Sequence, residues 1–385
     1  MSHVYTKARI LVCVAAAALA VPAGTLPAAP GGDLNAQALK VAKAEVKRCG
    51  KKYAARVDLQ RHLVFVSALD EEHLARTIRL LAAHTTAYRQ TLPCTRPAWN
   101  ILVVLPTADD FRKFVPKLAD TPNIEFVGVY QRTTHRVTSI DRGRVLRHEF
   151  THALHHADAC AARQSHPTWV REGLATLFES ARITPSGLQP VLDSRLWTLQ
   201  KAVRQKQTIR LANFFPMGQT TFLKQPDLSY AQARYLMYYL HHRGRLRDWY
   251  TRFKATYVND PSGRKAFEAV LGNRTEILER QWQEWVAGLE FSGNPRRTGQ
   301  GRLGLQMAGD SRGVKVTGLL SGGAAKRSGR LRVGDIITKF NGQPTRNVVE
   351  LSAAIRAAGA MKTVAVELLR QGRKQTLYQP MGKPQ

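Results

Sequence analysis

The spacing of apolar residues changes character along the chain, and each change marks an element or a boundary. A basic stretch, MSHVYTKAR, comes first, followed by an apolar run from Ile10 to Ala20. That run is shorter than the roughly 20 residues a membrane span requires, and Pro22 follows it closely. With small residues at Ala18 and Ala20, positions 1–20 read as a secretory signal peptide, a retained single anchor being the alternative. Residues 21–33 read as a flexible leader. Leu34 to Arg48 has helical spacing, and alternation over Arg56–Leu59 and His62–Val66 predicts two strands. Between Asp70 and Thr91, Leu74, Ile78 and Leu81 recur at helical period behind an acidic first turn. The apolar run within Trp99–Leu105 reads as a buried strand, and Thr107 as the cap of a short helix reaching Val115.

Residues 124–140 alternate around Gln131-Arg132-Thr133-Thr134 and predict a hairpin. Beyond Asp141 the period is helical almost without a break to Gly288. Phe291 to Gln300 (FSGNPRRTGQ) is a Gly/Pro/Arg linker, and residues 301–380 return to strand-rich alternation. The fold class is therefore α+β. A small N-terminal α/β sheet lobe and a largely helical lobe share residues 34–290, and a small β-rich domain follows.

Composition narrows the partners. The 385 residues, 44% hydrophobic and 22% charged, suffice for two or three domains of about 100–200 residues and exclude a disordered or collagen-like chain. Fifty-eight Lys+Arg against 28 Asp+Glu give +30, and residues 296–385 alone carry a net +13. No basic block interleaved with aromatics marks a nucleic-acid channel, so no nucleic acid is expected; an anionic membrane or cell-wall surface suits the charge. Beyond the signal, Cys49, Cys94 and Cys160 remain. An odd number allows at most one internal bridge, for which Cys49–Cys94 is the expected pair. Export with so few cysteines points to a bacterial periplasm or cell exterior.

The candidate chemistry centres on His148-Glu149-Phe150-Thr151-His152, an HExxH pattern. Two histidines one turn apart lie about 6 Å from each other along a helix axis, so both imidazoles reach one ion. The glutamate between them projects beside the metal, where it takes a proton from water. Asp141 is the expected N-cap of this helix. Catalytic zinc takes three protein ligands, and Glu172, twenty positions after His152, is the candidate for the third. It sits in Trp169-Val170-Arg171-Glu172-Gly173-Leu174-Ala175, behind Pro167, a residue suited to a first helical turn. His156 would lie about 12 Å from His148 along the axis, too far to share the ion. Asp158 is expected as a supporting or capping acid, and His155, His156, His166, His241 and His242 as solvated surface residues.

This constellation resembles the gluzincin metallopeptidases, the clan of thermolysin and the zinc aminopeptidases, in which a glutamate on the next helix follows HExxH within a Trp-x-x-Glu-Gly-x-Ala context. The resemblance implies one zinc ion per chain, held by His148, His152 and Glu172, with Glu149 as general base. It also implies an oxyanion donor on a later helix, for which Tyr230 is favoured over Tyr235, Tyr238 and Tyr239. The substrate would pair with an exposed strand edge before the zinc helix, the candidate being Phe126-Val127-Gly128-Val129-Tyr130, centred on Gly128, Val129 and Tyr130. The Gly-x-Met-Glu-Asn stretch of the clan's aminopeptidases is missing, which leaves endo- and exopeptidase action open.

Residues 301–380 carry a second pattern: Arg302-Leu303-Gly304-Leu305, then Gly322-Gly323-Ala324-Ala325, Gly334-Asp335-Ile336-Ile337 and Asn341-Gly342. A helix over Val348–Ala358 and a hairpin turning at Gln371-Gly372 follow. This resembles a PDZ domain of the bacterial protease-associated type. Successive N–H groups at Leu303, Gly304 and Leu305 would cradle the terminal carboxylate of a peptide, whose last apolar side chain enters a pocket walled by Leu303, Leu305, Leu351 and Ile355. The expectation is an exported zinc peptidase acting on peptide or protein substrates and capturing C-termini through its PDZ domain. A PDZ adaptor with an inactive metallopeptidase fold is the alternative.

Overall fold

The computed structural model describes residues 33–115, 127–291, 303–310, 312–319, 323–346, 348–358 and 363–381. The expected signal peptide and nearly all of the leader and linker lie outside them, as do Phe126, Arg302 and Gly322. The described residues fall into two compact units, one ending at Glu290 and the other beginning at Phe291.

In the first unit, α1 (Leu34–Cys49), β1 (Ala54–Asp58), β2 (Leu63–Ser67), α2 (Glu71–Thr91), β3 (Ile101–Leu105), α3 (Ala108–Phe114), β4 (Gly128–Gln131) and β5 (Arg136–Ser139) build a five-stranded sheet. Its order is β1-β2-β3-β5-β4. The inner strands β2, β3 and β5 run parallel, while β1 and β4 close the edges antiparallel. Parallel inner strands are covered on both faces, which is why Ile101–Leu105 reads as an unbroken apolar run and why Leu63–Val66, expected to alternate, is buried throughout. On one face α1 buries Ala38 and Ala42 against Val64, Val66, Leu102 and Val104. Thr107 caps α3 as expected, accepting from the Asp110 N–H, and Asp70 caps α2, accepting from the His73 N–H.

The helical lobe comprises α4 (Arg144–Ala161), α5 (Thr168–Phe178), a hairpin of β6 (Arg182–Thr184) and β7 (Gly187–Gln189), α6 (Arg195–Arg204), short α7 (Leu211–Phe214) and α8 (Gln219–Phe222), α9 (Pro226–His242), α10 (Leu246–Thr256), α11 (Arg264–Leu271) and α12 (Thr275–Gly288). Three-residue strands are too short to register as alternation, so the hairpin falls within a stretch expected to be helical. Helix α9 backs α5 so closely that a Cβ on Gly173 would meet Met237 Cγ at 2.8 Å and Ala233 O at 2.9 Å. Buried Trp169, Trp249, Phe253, Phe215 and Phe267 fill the core behind it.

The expected Cys49–Cys94 bridge is not formed, and Cys160 is free as well. The Cys49 thiol is spent on Glu45, whose Oε1 it approaches at 3.4 Å at the end of α1. Cys94 is held elsewhere, beside Tyr88 and Asp158.

The second unit contains β8 (Leu305–Asp310), β9 (Gly313–Leu319), α13 (Ala324–Ser328), β10 (Ile336–Phe340), β11 (Gln343–Pro344), α14 (Val348–Ala358), β12 (Thr363–Arg370) and β13 (Arg373–Pro380). Its antiparallel sheet runs β13-β12-β10-β9-β8, with β11 beside β10. Gln371 and Gly372, at φ 52° and 78°, make the two-residue turn their sequence demands. Val314, Val316, Ile337, Phe340, Val364 and Val366 form the core.

Candidate metal centre

Helix α4 begins at Arg144 behind Gly143, and the predicted cap Asp141 acts from two residues further back. Its Oδ1 accepts from the N–H groups of Gly143 at 2.9 Å and Val145 at 3.0 Å. Pro167 likewise stands at the cap position of α5 rather than inside its first turn. Leu146, Phe150 and Leu154 anchor α4 in the core, which turns His148, Glu149 and His152 toward β4 and α5.

These elements bring the predicted ligands together. His148 Nε2 and His152 Nε2 lie 3.1 Å apart, and Glu172 Oε2 approaches them at 3.6 and 3.3 Å. One ligand atom from each residue falls within 4.8 Å of the others, and all three side chains are buried. Glu172 Oε2 has no hydrogen-bond partner despite its burial, nor does Glu149 Oε1. A buried carboxylate oxygen without a donor costs several kcal/mol, so this donor set fits a divalent cation. Burial alone would raise the Glu172 carboxyl, but His152 and His148 outweigh it and hold the group ionised. Burial would also pull His148 down, and the carboxylates of Glu172 and Glu179 instead raise it to about 10.

Glu149 is raised mainly by burial. Its Oε2 accepts from the Tyr130 N–H at 2.8 Å. The strand expected as an exposed substrate edge lies over the base: β4 is the sheet edge, but its residues are largely buried and its Tyr130 N–H is taken by Glu149, and a Cβ on Gly128 would meet Val145 Cγ1 at 2.5 Å. Val129 and Tyr130 are buried beside it.

The residue that sequence reasoning missed is Glu179. It caps the C-terminus of α5, seven positions beyond Glu172 and so on the same helix face. Its Oε2 meets His148 Nδ1 at 2.8 Å, while its Oε1 takes Arg144 and Arg195, which also bind Asp193. The two-turn step from Glu172 was the available signal.

Other expectations are corrected. His155 and His166 are buried rather than solvated, bonded to each other at 2.8 Å, and His156 is half-buried against the Tyr130 hydroxyl at 2.8 Å. Burial is the leading cause that drives all three imidazoles toward the neutral form. Asp158 neither caps a helix nor supports a ligand. It ties α4 to α10, accepting from Thr95, Tyr250 and Lys254. Tyr230 lies buried on α9 with its ring edge-on to Phe222. His241 and His242, at the end of α9, are half-buried and exposed.

In the second unit Leu303 and Leu351, expected in a peptide pocket, are sealed at 2% and 0% exposure in the core cluster with Val316, Ile337 and Val364. Leu305 and Ile355 stay partly exposed, with Met307 and Val348 alongside. Gly304 has φ +69°, and a Cβ there would lie 2.6 Å from Gly323 Cα.

Residues 294–369 match the PDZ domain family, so a PDZ domain is present. No curated protein matches the sequence. Among solved structures, a serine endoprotease from Yersinia pestis is 25% identical over 28% of this chain and 35% of its own, with a TM-score of 0.20. An HtrA-type protease with a decapeptide is 19% identical over 29% of this chain and 35% of its own, at 0.21. The chain therefore spans about a third of the length of either protease. An aminopeptidase N family protein from Idiomarina loihiensis is 12% identical over 86% of this chain and 67% of its own, at 0.34.

Proposed function

We propose that this chain is an exported zinc-dependent peptidase whose PDZ domain grips the C-termini of peptides or proteins. The observation that carries the reading is the meeting of His148, His152 and Glu172 beside an unpartnered Glu149 oxygen. One zinc ion per chain, held by those three residues, would supply Lewis-acid polarisation of a peptide carbonyl and a lowered pKa for water. Glu149 is the base. Its Oε2 is fixed by the Tyr130 amide, so Oε1 is the atom that accepts the proton and later delivers it to the leaving amine. The raised pKa that burial gives Glu149 makes it the stronger base. Glu179 orients the His148 ring from behind. The substrate would extend along β4 as an added strand, and the clan resemblance proposes Tyr230 as donor to the developing oxyanion.

The test is zinc content and peptide hydrolysis in the full chain. One zinc per chain is expected, with hydrolysis falling about 10²–10⁴-fold in Glu149→Gln while zinc is retained. Equal hydrolysis by Glu149→Gln and the unmodified chain would overturn the reading.

A further inference from the structure

Tyr130 touches α4 twice, and only one of the two contacts serves the mechanism above. Its N–H donates to Glu149 Oε2, and its hydroxyl meets His156 Nδ1, each at 2.8 Å. Glu149 and His156 stand seven positions apart on α4, two turns or about 10.5 Å along the axis and on the same face. A single residue of β4 thus grips both ends of that face, with its backbone at one end and its phenol at the other.

Strand β4 needs a second hold. It is a four-residue edge strand that pairs with β5 on one side only. Any slip of β4 along α4 carries the Tyr130 N–H away from Glu149 Oε2. His156 is itself fixed: its ring lies 5.7 Å from Trp99, 5.9 Å from His135 and 5.8 Å from Tyr130. Trp99 and His135 in turn stack on each other at 4.1 Å. Trp99 stands two residues before β3 and His135 one residue before β5, so the imidazole is wedged against the sheet lobe rather than free to follow β4. Burial holds His156 neutral and the phenol protonated, so the bond joins two uncharged groups.

We propose that His156 is a positioning residue for Glu149: by holding the Tyr130 hydroxyl it keeps the Tyr130 N–H on Glu149 Oε2 and leaves Oε1 free for the proton. The inference rests on the peptidase reading for the role of Glu149. His156 touches no reacting atom and acts only through Tyr130.

The experiment uses the zinc-loaded full chain and three variants that separate the bond from the packing. Tyr130→Phe removes the hydroxyl and keeps the ring. His156→Phe keeps a ring against Trp99 and His135 and removes Nδ1. His156→Asn gives up the ring but offers an amide that can hydrogen-bond in place of Nδ1. Tyr130→Phe and His156→Phe should each lower kcat about tenfold with KM and zinc content unchanged, and together by no more than either alone. His156→Asn should recover most of the loss. Deuterium exchange at the Tyr130 amide should quicken in both Phe variants and not in His156→Asn, while the β3 amides stay as protected as before. Unchanged kcat in both Phe variants overturns the proposal, as does a loss that is worst in His156→Asn, which would mark the ring as packing alone. Quickened exchange in β3 as well as β4 reports general loosening and overturns it too. If the unmodified chain cleaves no peptide, the peptidase reading falls and exchange alone judges the hold. Selective quickening at Tyr130 then supports it, and unchanged protection overturns it.

Discussion

On the proposed function, the two units would recognise peptide by opposite means. Around the candidate metal centre the chemistry sits on side chains: His148, His152, Glu172 and Glu149 are buried, with His148 held by Glu179 and Glu149 by the Tyr130 amide. In the PDZ unit the binding chemistry belongs to the backbone. Gly304 turns the chain through φ +69° beside partly exposed Leu305 and Ile355. The first design is sensitive to removal of a single polar group, because the partner left behind is buried and unpaired. The second tolerates polar changes and fails on the addition of a methyl group. Three substitutions test that contrast.

Asp158→Asn should have the largest effect. Asp158 is fully buried and accepts from Thr95, Tyr250 and Lys254, so neutralising it leaves the Lys254 ammonium without its counter-charge. The expected cost is about 3 kcal/mol in denaturant unfolding. Burial alone would raise the Asp158 carboxyl, but the bonds from Thr95, Tyr250 and Lys254 lower it below the ordinary 3.8. Its contribution is therefore full above that pH and is lost as the pH falls through the lowered native value. The stability gap between native and Asp158→Asn chains should close in acid. A constant gap would show that Asp158 acts by shape rather than charge.

Glu179→Gln should come next. The amide keeps the size but weakens the orienting bond to His148 Nδ1 and leaves Arg144 and Arg195 less neutralised. Zinc affinity should fall about 10–100-fold, read by competition with a chelator. An unchanged affinity would confine Glu179 to packing.

How much of this was legible in sequence follows the same division. Period and caps located most of the elements: the strands at Val64 and Val103, the Thr107 cap and the Gln371-Gly372 turn are local effects. The spacing of His148, His152 and Glu172 was legible because one helix turn and one helix pairing suffice to join them. Three-residue strands at Arg182–Thr184 left no periodic trace. The burial of His155 and His166 was hidden because it depends on Tyr250 and Phe253, brought in by α10 some ninety residues later. The role of Glu179 is tertiary for the same reason. Leu303 and Leu351 were assigned to a groove because an apolar residue in a binding motif reads alike whether it lines the pocket or supports it from below.

Gly304→Ala should show the smallest of the three effects and the sharpest contrast. A β-carbon at φ +69° costs about 1–2 kcal/mol from backbone sterics alone. Here it must also displace Gly323 Cα, 2.6 Å away, which is backbone and cannot swing aside as a flexible side chain would. Leu303 O accepts from the Ala325 N–H at 2.8 Å, so any movement of this loop is passed to α13. The PDZ unit should lose affinity for a C-terminal peptide by roughly tenfold, the equivalent of about 1.4 kcal/mol. Zinc content should stay at one per chain, because the change lies in the other compact unit. Native peptide affinity in Gly304→Ala would mean that this loop does not shape the carboxylate cradle, and the division between side-chain and backbone recognition would not hold.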